Sequence, residues 1–192
     1  MQTRLTCTIP RERVGVLVGH EGEVRKEIER ALGVRLAVSS ETGLVEITPE
    51  SEDTNPVSLL KARDVAVAIG RGFSPEKACR IFEEDVVFEL IDLRELYRRN
   101  ESDIRRVKGR IIGQDGKTRR IIEEMTRANL AIYGDTIGIV GGYENVATAR
   151  EAVDMILKGK QHATVYRFLR DKRWEEKRRQ TLELWEKPPP KR

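Results

Sequence analysis

Cysteine and histidine are each present only twice in the 192-residue chain, and that scarcity removes whole classes of chemistry. Cys7 and Cys79 are far apart and form no Cys-x-x-Cys pair. Neither a disulfide framework nor a zinc site is expected, and a reducing, cytoplasmic setting fits best. His20 and His162 have no partners at ligand or triad spacing; the first reads as an exposed loop residue and the second as part of a helix start. Carboxylates abound, Glu123-Glu124 and Glu175-Glu176 among them, but they read as solvated helix faces. No metal, no cofactor and no enzymatic activity are therefore expected. Phe, Tyr and Trp make up 5% of the chain, too few for an aromatic base-stacking sheet. No apolar run approaches a membrane span, and the N-terminus lacks the apolar core of a signal peptide. Lys and Arg exceed Asp and Glu by only 36 to 32, so composition names no polyanionic partner. Local clustering has to carry any such reading.

Charge and spaced glycine are what the chain does have. Charged residues reach 35%, against about 25% in ordinary globular proteins, while 39% hydrophobic content still supports packed cores. In the stretch from Arg106 to Met125, Ile111 and Ile112 run into Gly113-Gln114-Asp115-Gly116, and a basic amphipathic helix pattern follows. Two glycines three apart let another backbone approach closely. The helix after them directs unpaired N–H groups and a positive dipole end at whatever docks there. Lys108, Arg110, Lys117, Arg119 and Arg120 surround the spot, with Asp115 the one acid among them. The fitting guest is a phosphate backbone, and the pattern is the GxxG loop of a KH module, which clamps about four nucleotides of single-stranded RNA. Gly116-Lys117-Thr118 also invites a nucleotide-binding P-loop, but that motif needs a glycine at position 111, where Ile stands.

The glycine pattern occurs twice. Gly15, Gly19 and Gly22 fall on Gly109, Gly113 and Gly116 at a constant offset of 94, and Arg25-Lys26 fall on Arg119-Arg120. Each copy sits in the same predicted order of elements: strand, helix, GxxG, helix, strand, strand, helix. In the first half these are a strand ending at Pro10, helices flanking Gly19–Gly22, a hairpin over Val34–Ser39 and Leu44–Thr48, and a helix starting at Pro56. The second half runs from a strand at Val86–Ile91, through a polar insertion at Asp92–Asp103, to a last core helix ending near Gly159. That order predicts an α+β protein of two tandem type I KH domains, each a three-stranded antiparallel sheet on three helices, plus a C-terminal helix. The expected boundaries are 1–72 and 86–160 for the two domains, 73–85 for a linker helix, 161–186 for the C-terminal helix and 187–192 for a disordered tail. Trp174 and Trp185 are expected to anchor the C-terminal helix on a core, base stacking being the alternative.

The expected RNA contacts lie in the second copy: Lys108, Arg110, Ile112, Gly113, Gln114, Asp115, Gly116, Lys117, Thr118, Arg119 and Arg120. Ala131 and Ile132, with Ile122 and Leu130, supply a base-receiving groove. The first copy, with Gly19, His20, Glu21, Gly22, Arg25 and Lys26, carries two carboxylates, Glu21 and Glu23, where phosphates would lie. It is either a weaker RNA contact, helped by Arg11 and Arg13, or a structural or protein-binding copy.

The chain resembles the KH-domain factors of small-subunit ribosome assembly, the archaeal relatives of the eukaryotic partner-of-Nob (Dim-two) protein, with the Krr factors as close cousins. The resemblance covers about residues 3 to 170. It is most specific at Phe88-Glu-Leu-Ile-Asp-Leu93, Gly109-Arg-Ile-Ile-Gly-Gln-Asp-Gly-Lys-Thr118, Ile122-Glu-Glu-Met-Thr126, Tyr143-Glu-Asn-Val146 and Val165-Tyr166. It implies binding to the 3′ region of small-subunit (16S) rRNA or its precursor, contact with the endonuclease that matures that end, and contact with a translation initiation factor. A protein-interaction scaffold with structural KH folds, or a KH regulator of other RNAs, is the alternative.

Overall fold

The computed structural model describes residues 4–98 and 100–186; Thr3 and the tail at 187–192, read from sequence as disordered, lie outside them. The first half runs β1 (Leu5–Thr8), α1 (Arg11–Val18), a 3-10 turn at His20–Gly22, α2 (Glu23–Leu32), β2 (Val34–Val38), β3 (Leu44–Pro49) and α3 (Pro56–Gly70). Its antiparallel sheet has the order β1-β3-β2. Alternation decides the buried face: Val34 and Leu36 on β2, and Val45 and Ile47 on β3, are enclosed, while Arg35 and Ala37 face water. The Asn55 side chain caps α3 by accepting from the Val57 N–H, and Pro56 takes the first helical position.

The second half repeats this plan. After α4 (Pro75–Cys79) and a 3-10 turn at Arg80–Phe82 come β4 (Val86–Asp92), α5 (Leu93–Leu96) and α6 (Glu101–Ile112). A 3-10 turn at Gln114–Gly116, α7 (Lys117–Thr126), β5 (Asn129–Tyr133), β6 (Thr136–Gly142), α8 (Tyr143–Leu157) and α9 (His162–Glu186) complete the chain. The sheet order is β4-β6-β5, again antiparallel. Within the polar insertion, Asp92 starts α5 by accepting from the Arg94 N–H, and Asn100 caps α6.

The segment read as a boundary is core. Phe73, Ala78 and Ile81 are at most 2% exposed and belong to the first hydrophobic cluster, which continues into Val86, Ala131 and Val140 of the second sheet. Gly138 makes this possible: a Cβ there would lie 2.7 Å from the Phe73 ring, so only a bare backbone lets the ring lie on β6. Phe88 meets the same ring edge-on, 6.3 Å between centroids at 86°. Burying one such ring is worth about 2–3 kcal/mol. Polar links add to it: Arg13 Nε and Nη2 donate to the Ile69 and Phe73 carbonyls at 2.9 and 2.7 Å, and Tyr133 donates to Glu12. Sheet two thus has helices on one face and the connecting segment on the other.

α9 lies against α7 and α8 through buried Val165 and Leu169 and half-buried Phe168. Trp174 does not anchor it, contrary to the sequence expectation: it is 63% exposed, with the Arg178 guanidinium 5.6 Å from the centre of its ring. The Trp185 side chain is outside the described residues. The outer half of α9 carries the exposed ion pairs Arg127–Glu176 and Arg179–Glu144. No described helix is long and apolar enough to cross a membrane.

Candidate nucleic-acid interface

The two glycine loops have nearly the same backbone. Gly19, Glu21 and Gly22 have φ of 75°, 51° and 78°; Gly113, Asp115 and Gly116 have 73°, 50° and 74°. The first glycine of each loop is fixed by its surroundings. A Cβ on Gly113 would lie 2.7 Å from the Thr118 nitrogen and 2.3 Å from its Oγ1; one on Gly19 would lie 2.6 Å from Val24 Cγ2. The last glycine differs: a Cβ on Gly116 would meet nothing within 4 Å. No side chain caps α2 or α7; the first N–H of each is bonded inside the loop, Glu23 to the His20 carbonyl and Lys117 to the Gln114 carbonyl, and the positive end of each helix faces the loop.

Around this shared backbone, several contacts are also shared. Lys26 Nζ donates to the Glu21 carbonyl at 3.1 Å, and Arg120 Nη2 to the Asp115 carbonyl at 2.8 Å. Glu29 and Glu123 each accept a 2.8 Å bond from the strand N–H of Leu36 and Leu130. Arg25 and Arg119 pair with those same glutamates at 3.9 and 3.4 Å. These glutamates were missed as positioning residues, although the offset of 94 relates them. They tie the helix after each loop to its edge strand.

The loops differ in charge. Glu23 opens α2, where a carboxylate suits the positive helix end. The exposed Lys117 opens α7, where a cation works against the same dipole by about 0.3–1 kcal/mol, and no acidic residue stands in that first turn. The loops also differ in support: Thr118, 3% exposed, shares a 2.9 Å hydrogen bond with the Tyr166 hydroxyl of α9, whereas Val24 occupies the matching place. Composition gave no hint of this brace.

Other expected contacts have other roles. Arg110 donates from Nη1 to the Ile156 carbonyl at 3.0 Å and from Nη2 to the Lys160 carbonyl at 2.5 Å, while His162 Nε2 donates to the Arg110 carbonyl at 2.8 Å. Arg110 and His162 therefore close the end of α8 and the start of α9. Lys108 pairs with Asp135 at 3.5 Å, and Arg94 pairs with the same carboxylate at 2.7 Å. The Arg94 hydrogen bond, opposed by some desolvation and helped by Lys108, holds the Asp135 carboxyl below its ordinary range. Arg13 binds the end of α3 rather than the first loop.

The expected base groove is also corrected. Ile122 and Leu130 are core, at 0% and 1% exposure, and Ala131 is buried on the opposite face against the connecting segment. A strand shows consecutive residues to opposite faces, so 130, 131 and 132 cannot share one groove. Ile112 is 37% exposed and Ile132 half-buried. Gln114, Asp115, Lys117 and Arg120 are exposed at the loop, as are His20, Glu21 and Lys26 in the first copy. Among the described residues no group of three His, Cys, Asp or Glu is placed to hold a metal ion. Burial pushes both the Cys7 and Cys79 thiols up to about 11.

Comparison with known proteins adds four findings. Residues 87–174 match the model for the second KH domain of PNO1, described as a eukaryotic type KH-domain (KH-domain type I). A KH domain-containing protein of Methanocaldococcus jannaschii is 46% identical over 179 residues, 93% of this chain and 78% of that protein. The RNA-binding protein pno1 of Dictyostelium discoideum is 27% identical over 85% of this chain and 69% of its own length. Among solved structures, aDim2p of Pyrococcus horikoshii, in a complex with a/eIF2alpha and rRNA, superposes with a TM-score of 0.82 at 39% identity. That match covers 91% of this chain and 96% of the other.

Proposed function

The chain belongs to the PNO1/Dim2 family of KH-domain proteins, and on that premise we propose that it binds single-stranded RNA at the 3′ region of small-subunit rRNA or its precursor. The binding site is the loop Gly113–Gly116 with the start of α7. One observation carries the reading: Lys117 sits at an uncapped helix start where the fold's own electrostatics favours an acid. A phosphate bound there turns that local cost into attraction, and the open space beside Gly116 admits the sugar–phosphate backbone.

In this reading both halves are type I KH modules, residues 1–72 and 86–160, with 73–85 as a packed connector. Gly113, Gln114, Gly116 and Lys117 contact the backbone; Arg120 and Asp115 shape the loop, with Arg119 paired to Glu123 behind it; Ile112 and Ile132 border the bases. The first module, acidic at Glu21 and Glu23, faces protein. The partners proposed are a translation initiation factor, since the rRNA complex of the Pyrococcus relative contains a/eIF2alpha, and the endonuclease that trims the rRNA end. The protein acts as a binding factor in small-subunit assembly, without catalysis of its own.

The test is crosslinking in cells of its source followed by sequencing of the bound fragments. Reads concentrated at the 3′ end of small-subunit rRNA support the proposal; reads scattered over messenger RNAs overturn it.

A further inference from the structure

β4 is an edge strand. Its register with β6, with Tyr143 N–H donating to the Asp85 carbonyl and Leu93 N–H to the Asp135 carbonyl, assigns the ladder bonds to its odd-numbered residues. The backbone N–H and C=O groups of Val86, Phe88 and Leu90 therefore point away from the sheet. Soluble proteins commonly protect such an edge with Lys, Pro or a bulge. Val-Val-Phe-Glu-Leu-Ile-Asp has neither Lys nor Pro, and its pairing with β6 is unbroken over all seven residues.

Beside this edge, between β4 and α8, runs an open groove of about 540 Å³ floored by Val87, Val146 and Met155. Tyr143, 73% exposed, stands at one end, where a second hollow continues past Glu84 and Asp85. The groove is rimmed by Glu89, Glu151 and Asp154 against Arg150 and Lys158. Arg150 is already bonded to two of those acids, Glu89 at 2.6 Å and Asp154 at 3.0 Å. Glu144, beyond Tyr143, is paired with Arg179. Leaving that pair aside, the surface carries five carboxylates and two cations.

We propose that the β4 edge and this groove form a docking site for an extended, basic segment of a partner protein. Such a segment adds a fourth strand to the sheet, sets alternate aliphatic side chains into the groove and lays Lys or Arg along the acidic rim. Charge selects this occupant. RNA is repelled by the net negative rim. A second copy of this chain, paired edge to edge about a two-fold axis, sets acidic rim against acidic rim. The site is independent of the glycine loop.

The test titrates the isotope-labelled full chain with a blocked octapeptide of alternating Lys and Val, a Glu–Val counterpart, and single-stranded RNA, following amide signals. The basic peptide is expected to slow amide exchange at Phe88 and Leu90. Leu90→Pro removes an outward N–H without touching a ladder bond, and Glu151→Lys reverses a rim charge on a helix surface. Each is expected to weaken the peptide about tenfold and leave RNA affinity unchanged. The proposal is overturned if the peptide gives no protection on β4, if its binding survives both substitutions, or if the acidic peptide binds equally. It also falls if RNA shifts map to β4, or if the free protein is a dimer that Leu90→Pro dissolves.

Discussion

Replacing the glycines of the second loop one at a time separates fold from function. Gly113 has φ 73° and ψ 175°, a region essentially closed to other residues, at about 1–3 kcal/mol. Its Cβ would also lie 2.7 Å from the Thr118 backbone nitrogen, and forcing the loop to shift adds about 1–3 kcal/mol. Gly113→Ala is therefore expected to cost about 2–6 kcal/mol and lower the melting temperature by about 5 °C or more. Gly116 has φ 74° and ψ 13°, and its Cβ position is open. Gly116→Asp then costs about 1 kcal/mol, because Asp tolerates the left-handed region, as Asp115 does beside it. It does place a carboxylate where the proposed site would hold a phosphate, and RNA affinity should fall about tenfold or more. Gly19→Ala supplies the control: the same kind of destabilisation with RNA affinity unchanged. Circular dichroism melts and fluorescence anisotropy with a labelled 3′-end oligonucleotide read both quantities. If Gly113→Ala melts with the parent protein, or Gly116→Asp binds RNA as the parent does, the loop assignment is wrong.

Charge reversal at the two helix starts tests their asymmetry: Lys117→Glu should weaken RNA binding and reduce the log–log salt slope by about 0.7, one single-strand phosphate contact. Glu23→Lys should leave RNA affinity within error if the first module faces protein, and a clear gain would put RNA on both loops. Tyr166→Phe removes the hydroxyl bonded to Thr118 and should cost about 1 kcal/mol, seen as a melting shift of about 2–4 °C. Asp135 titrates below its ordinary range in the fold, so its contribution is present above the unfolded pKa and disappears as pH falls through the lower folded one. Asp135→Asn should flatten that acid limb of the stability curve, and an unchanged limb would show that the Arg94 and Lys108 contacts contribute nothing. With thiol pKa values of about 11, both cysteines should be about a thousandth ionised at pH 8 and alkylate slowly in the native state; rapid labelling by iodoacetamide would contradict the desolvation of these half-buried thiols.

What the sequence made legible depends on how far each signal travels. The loops, their flanking helices and the hairpins follow from local spacing, and the offset of 94 doubled that evidence. The packed connector does not, because Phe73 follows Gly-Arg-Gly and looks like the start of a linker. Its burial depends on Gly138, a bare position on a strand far along the chain. Arg110 and Lys108 lie near the loop in sequence, yet the turn of α6 carries them to the end of α8 and to Asp135. Trp174 misled in the other direction, since α9 is anchored by the aliphatic Leu169 and Val165, five and nine residues earlier. The strand error was avoidable from sequence: period-two alternation forbids Leu130, Ala131 and Ile132 from lining one groove.

The duplication also works as an internal control on the site. Contacts present in both halves are accounted for by the fold they share. These are the Lys26 and Arg120 bonds to their loop carbonyls, Glu29 and Glu123 on the strand N–H groups, and Arg25 and Arg119 beside those glutamates. A basic residue at those positions is thus weak grounds for an RNA contact, because the acidic copy has it too. What distinguishes the second copy is Lys117 in place of Glu23, and Thr118 braced by Tyr166 in place of Val24. The first costs the helix electrostatically and the second ties the loop to α9. If RNA binding resides in the second loop, exchanging Glu23 and Lys117 between the copies should move more affinity than removing Arg119 or Arg120. If removing either arginine costs more than the exchange, the shared contacts are themselves the binding surface, and both loops have to be read as RNA sites.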